Sequence, residues 1–237
     1  MIVFFILIAL ALCQSIFGMG LLVFGTPILL LIDYSYEQAL WTLLPASFTV
    51  SSLQLLEISG LDREFRTKFL TWSIPALSVT LATYLIWHPS IKIELIMGLV
   101  MLMFVISRIL SRAAGDWVSN FIKCNSKTAM FVMGAVHGIS NMGGSVLSLI
   151  STSYYNEKSQ IRDAVVYCYW FFGLCQLALL ALFSFQEISM FGIAGSPIAA
   201  VVYLLLGKRS FEMVEQNAFK HLFTTFILIC AALLLYQ

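Results

Sequence analysis

The chain has 237 residues, 60% of them hydrophobic and 11% charged, with a mean hydropathy of +0.94. Against roughly 45–50% and about 25% in an ordinary soluble domain, this composition excludes a soluble enzyme and leaves no water-soluble domain to hang from a single anchor. A formal net charge of +1 gives no basic surface for nucleic acid, and the five cysteines, which lack close C-x-x-C spacing, indicate neither a zinc site nor a disulfide scaffold.

The first apolar stretch covers residues 2–32. No Lys or Arg precedes its apolar run, and Leu12 stands before Cys13 where a cleavage site needs a small residue, so it is expected to be retained and not removed as a signal peptide. Gly18-Met19-Gly20 interrupts it. Residues 39–56, 69–87 and 91–109 follow as simple spans, because about 20 helical residues cross a hydrocarbon core about 30 Å thick. The fifth stretch, 128–153, is again long and is interrupted at Asn141-Met142-Gly143-Gly144. Residues 164–185, 188–206 and 218–236 complete the series. Glycine inside a helix costs about 1 kcal/mol relative to alanine, so glycines clustered near mid-depth predict a break between two half-helices.

Each half of the chain thus has one broken segment followed by three spans. Gly18-Met19-Gly20 overlays Asn141-Met142-Gly143 at an offset of 123, and Gln38-Ala39 overlays Asp163-Ala164 at 125. Matched interrupted segments point to the binding site of a secondary transporter, although small residues also let membrane helices pack closely. Loop charge predicts how the broken segments run. If all eight segments cross, Lys and Arg divide six to seven between the two sides; if both broken segments are re-entrant, twelve fall on one side and only Lys92 on the other. The second arrangement obeys the positive-inside rule and inverts the second repeat, since three spans is an odd number. The predicted fold is therefore an all-α polytopic integral membrane protein of two inverted four-segment repeats, each opening with a glycine-broken, re-entrant helix pair. The repeats are placed at residues 1–110 and 128–237, with a cytoplasmic connecting loop at 111–127.

The stretch from Ser15 to Pro27, with the acidic turn and Ala39-Leu40-Trp41-Thr42 after it, resembles the opening of the sulfite exporter TauE/SafE family. In that family each half starts with a run like G-x-G-G-G, then an apolar stretch containing proline. Gly18, Gly20 and Pro27 match in the first half, and Gly138, Gly143 and Gly144 in the second; Leu21, Leu22 and Asn141 stand where glycines are usual, and Ile150 where the proline is. The resemblance implies a multi-pass carrier of the bacterial inner membrane for a small anion such as sulfite, a sulfonate or a related acid. Leu21 and Leu22 narrow the backbone approach, whereas Asn141 adds an amide able to meet an oxyanion.

Free N–H groups and the positive end of the dipole make the start of an intramembrane half-helix an anion site without a charged side chain. The helices expected after Gly20 and after Gly144 supply two, and the candidate set around them is Gly18, Met19, Gly20, Asn141, Met142, Gly143 and Gly144. Thr26, Ser145 and Ser148 add hydroxyls, unless these only cap or back-bond to their own helices. His137 is the ionisable group deepest in an apolar segment, suited to proton coupling or anion pairing, or else a neutral histidine bonded to a neighbouring helix. Gln54, near Ser51 and Ser52, and Gln176 line the cavity or pair between helices. Cys168 and Cys175 read as small hydrophobes, and Trp41, Trp72, Trp87, Trp117, Tyr154 and Tyr155 as an aromatic belt. The expected partners are a small anion, a proton or another coupling ion, and the lipid bilayer, with no cofactor or metal. An intramembrane enzyme is disfavoured because no histidine stands in H-E-x-x-H and no G-x-S-G elbow occurs. A channel or a non-transporting membrane subunit is the alternative.

Overall fold

The computed structural model describes residues 2–87, 92–213 and 215, and every regular element among them is helical. Three helices are long and apolar enough to cross a bilayer, namely Arg63–Trp87, Lys158–Phe183 and Met190–Phe211, and shorter apolar helices cover Val3–Phe17 and Leu21–Leu31. Large side chains such as Val79, Trp87, Met103, Leu182 and Leu205 are exposed, as a protein solvated by lipid requires. This is a membrane protein.

Helix α1 (Ile2–Phe17) stops at Gly18, whose φ of 73° is left-handed, and α2 (Leu21–Leu31) begins directly after Gly20. The turn at Ser35 is a capping box: the Ser35 hydroxyl accepts from the Gln38 N–H while the Gln38 side chain accepts from the Ser35 N–H. It starts α3 (Tyr36–Leu55). Helix α4 (Arg63–Lys68) passes through a π-helical turn, Phe69–Ser73, into α5 (Ile74–Trp87). Helix α6 (Ile93–Cys124) is 32 residues long. Most of the stretch 111–127, expected as a loop, therefore continues that helix, and the connection shrinks to Asn125, because its scattered charges suit an amphipathic helix as well as a loop.

The second half repeats this order. Helix α7 (Ser126–Ser140) stops at Asn141, φ 61°, and α8 (Gly143–Tyr154) follows after Met142, so the second half-helix starts two residues earlier than expected. Helix α9 is Lys158–Phe183. Helix α10 (Met190–Val202) passes through a second π-helical turn, Tyr203–Gly207, into α11 (Lys208–Met213). The last expected span, at 218–236, lies outside the described residues.

The packing pairs off by halves. Helix α5 packs on α7 and on α9, and α10 on α1 and on α3; α2 packs on α3 as α8 does on α9; the first π turn lies on α7 and the second on α1. Small residues allow the closest crossings. A methyl group at Gly138 would stand 2.7 Å from the Leu77 carbonyl oxygen, and one at Gly192 would strike the Trp41 carbonyl.

One end of the bundle gathers the start of α3 and the α9–α10 turn: Gln38 Nε2 donates to Glu187 at 3.1 Å, Trp41 Nε1 donates to the Ser184 carbonyl, and Phe4 packs on Phe191. Trp41 is thus buried and bonded between helices, not part of an aromatic belt, because its N–H found a partner inside. The opposite end holds Lys208 against Glu57 and Asp163 against Ser59, with Phe65 packed on Tyr154 and Tyr155.

Candidate functional site: two helix breaks

At the first break, Gln14 sits in the last turn of α1, fully buried. Its Nε2 donates to the Ser47 carbonyl at 2.8 Å and to Ser51 Oγ at 3.0 Å, while its Oε1 accepts from Ser47 Oγ and, at 3.3 Å, from the Leu21 N–H. That last bond caps the start of α2, whose first N–H groups have no intrahelical partner. Gln54 closes the other side: its Nε2 donates to the carbonyls of Gln14 and Ser15, the end of α1. Gln54, expected to line the cavity or pair between helices, spends its donors on a helix end.

At the second break the matched position is His137, at the same offset of 123 from Gln14. It is fully buried, stacked on Phe172 with centroids 4.2 Å apart and edge-on to Tyr169 at 5.6 Å, and Gln176 is the polar side chain that acts on it. The neighbours also match. Ser47 and Ser51 flank Gln14, and Phe172 and Gln176, each 125 residues later, flank His137. Gln176 therefore corresponds to Ser51 and not to Gln54, the pairing the charge and segment pattern suggested. Gly18 and Asn141 likewise correspond, both left-handed; asparagine tolerates that conformation better than other side-chain-bearing residues, which explains its presence where glycine is usual.

The two centres differ in completeness. At the first break Gln14 itself is fully paired, and Gln54 Oε1 is left without a hydrogen bond. Around His137 the buried atoms Nδ1 and Nε2 of the imidazole, Tyr169 Oη and Gln176 Oε1 make no hydrogen bond. Tyr169 Oη lies so close to Gly144 that any side chain there would collide with it, and Val23 of α2 closes the same space. A methyl group at Gly20 would stand 2.7 Å from the Gln14 backbone nitrogen, and one at Gly143 would strike His137 Cβ. Smallness at these three positions serves contact between protein groups, where the sequence suggested room for a ligand.

Asn141 joins the halves: its Nδ2 donates to Thr26 Oγ1 on α2 at 3.0 Å, and its Oδ1 accepts from Gln176 Nε2 at 2.8 Å. Its amide is engaged within the protein and is not a loose donor. Ser145 Oγ donates to the Met142 carbonyl, the capping alternative, whereas Ser148 is buried in the following turn. Met19 and Met142, at matched positions, are buried at the tips. Cys168 is buried and Cys175 lies 3.1 Å from Ser78 Oγ. Sequence reasoning missed Gln14 and Tyr169. The offset of 123 that aligned the breaks would have exposed Gln14 as the partner of His137; Tyr169 is one aromatic among many in an apolar helix and carries no such signal.

The family model for the sulfite exporter TauE/SafE matches residues 3–234, nearly the whole chain. The chain belongs to the TauE/SafE family. No curated protein and no solved structure matches it significantly. Membership makes it a membrane transporter of a family named for sulfite export. In this TauE/SafE protein, Leu21 and Leu22, standing where further glycines are usual, are fully buried at the start of α2.

Proposed function

We propose that this TauE/SafE protein is a secondary carrier that moves a small anion, sulfite, a sulfonate or a similar oxyanion, across the bacterial inner membrane, and that the substrate binds at the second break. The observation that carries this reading is the group of unpartnered buried atoms beside the start of α8. An unmet buried polar group costs about 1–3 kcal/mol, and the unpaired donors of His137 and Tyr169 beside a helix N-terminus suit an anionic partner. The roles are then specific. Gly143 and Gly144 present backbone N–H groups, while the Ser145 N–H is spent on the Met142 carbonyl; Tyr169 and His137 donate from the side; Thr26, Asn141 and Gln176 hold the geometry. Gly18, Met19, Gly20, Gln14 and Gln54 form the matching pivot in the first half. The site is shut, with Tyr169 against Gly144, so access needs α8 to part from α9.

The two halves are read as inverted repeats and both broken segments as re-entrant. Phe4 near Phe191, with Gln38 near Glu187, supports a first pair that opens and returns at one end; Ser73 bonded to the Met130 carbonyl, with Tyr154 against Phe65, supports a second pair that opens at the other. The end rich in Lys and Arg is then cytoplasmic.

Flux in proteoliposomes tests the carrier. Saturable uptake of a small anion supports it, an ohmic current supports a pore, and neither supports a subunit role. His137→Gln separates a titrating from a structural histidine: the titratable group touching it is Tyr169, so if His137 carries the coupling proton this variant keeps binding but loses the pH dependence of flux. An unchanged profile would leave His137 as a packing and hydrogen-bonding group.

A further inference from the structure

The unpaired atoms at the second break are not all donors. Gln176 is fully buried on α9, and its Nε2 is already committed to Asn141 Oδ1 at 2.8 Å. Asn141 is fixed in turn, donating from Nδ2 to Thr26 Oγ1 at 3.0 Å, and all three residues are fully buried. A primary amide has its oxygen opposite its nitrogen. With the Gln176 nitrogen taken by Asn141, the carbonyl Oε1 points the other way, on the side of His137, and makes no hydrogen bond. The centre therefore offers several donors and one fixed acceptor.

We infer that Gln176 is a specificity-determining residue, whose pinned carbonyl selects a monoanion bearing one N–H or O–H donor beside its oxyanion oxygens. The inference rests on the anion site proposed above and deepens it. A fully ionised oxyanion with no hydrogen, or a sulfonate with only C–H groups next to sulfur, would set lone pairs or apolar surface against that oxygen. The buried acceptor would then stay unmet. A ligand with a donor satisfies both kinds of group at once. Asn141 acts here as a positioning residue, since reversal of its amide would turn the Gln176 nitrogen toward the ligand and invert the preference.

Two probes of like shape and charge isolate the effect: sulfamate, which carries an N–H donor on sulfur, and methanesulfonate, which carries a methyl there. Both are monoanions at neutral pH. Titrating each against the purified full chain in detergent is expected to show sulfamate binding about ten-fold or more tighter, the factor that corresponds to one buried acceptor left unmet. Gln176→Leu is expected to weaken sulfamate by that factor and leave methanesulfonate unchanged, while Tyr169→Phe weakens both. Equal affinities in the unaltered protein, a preference for methanesulfonate, or a sulfamate preference that survives in Gln176→Leu would overturn the role of Gln176; if Tyr169→Phe still weakens both, the anion site itself stands. Failure of both anions to bind, or no effect of Tyr169→Phe on either, would overturn the site and the inference together. The comparison in the unaltered protein needs no variant to fold.

Discussion

Gln54 and Asn141 are both buried amides near a helix break, yet they do different jobs, and substitution separates them. Gln54 Nε2 meets the last carbonyls of α1, so Gln54→Leu leaves helix-end acceptors unmet and is expected to lower stability by about 1–3 kcal/mol without changing substrate affinity. Thermal unfolding and anion titration on the same preparation check this. Asn141 combines a left-handed backbone with two side-chain bonds. Asn141→Gly keeps the backbone and loses the bonds, whereas Asn141→Ala loses both. The alanine variant is therefore expected to unfold at lower temperature than the glycine variant, by about 1 kcal/mol. Gly20→Val fails for a packing reason, since its side chain meets the backbone of Gln14, and it is expected to impair folding along with transport.

Between elements, the decisive question is where each half-helix pair opens. Tyr36, which the sequence marks as a loop position, is 3% exposed and its hydroxyl donates to the Gly138 carbonyl at 3.4 Å, so a cysteine there would be shielded from reagent. Exposed neighbours serve better. In a background without the native cysteines, Ser35→Cys and Glu187→Cys are expected to react with an impermeant thiol reagent from one side, and Lys123→Cys and Glu157→Cys only from the other. Labelling of Lys123→Cys and Glu157→Cys from opposite sides would refute the re-entrant arrangement of the second broken segment. The two π-helical turns bear on the same question. Each lies against the half-helix that carries Gln14 or His137 in the opposite half, and an extra residue in a helical turn is a common place for a helix to adjust.

Across the whole molecule, helix α3 is tied at both ends to the second half. Near its start Gln38 meets Glu187 and Glu37 accepts from the Ser184 hydroxyl; beyond its end Glu57 meets Lys208 at 3.2 Å and Ser59 meets Asp163. The Glu57–Lys208 pair is largely exposed and adds at most about 1 kcal/mol to stability, so its value lies in position, not strength. Next to the first tie an open cleft of about 400 Å³ is lined by Tyr34, Gln38, Thr42, Glu187 and Ser189. A carrier that alternates between two openings must release one tie at a time. Cross-linking Gln38→Cys to Glu187→Cys, or Glu57→Cys to Lys208→Cys, is expected to stop anion flux, and reduction to restore it. Full flux in either cross-linked protein would show that the tie does not move during transport.

The membrane setting and the two helix breaks were legible in the sequence, because hydrophobic length and runs of glycine are local properties that lipid and backbone sterics read directly. The offset between Gly18 and Asn141 also located equivalent backbone positions before any packing was known. Family membership is likewise carried by the chain as a string. The assignment of polar residues was not legible. Gln54 and Gln176 are the same residue type in similar surroundings, and only the packing of α3 on α1 and of α9 on α7 and α8 set one against helix-end carbonyls and the other beside His137. Tyr169 became notable only when α9 brought its hydroxyl against Gly144. Hydrogen-bond satisfaction depends on what stands within about 3 Å in space, so which buried groups are completed and which are left open is a property that tertiary structure alone decides.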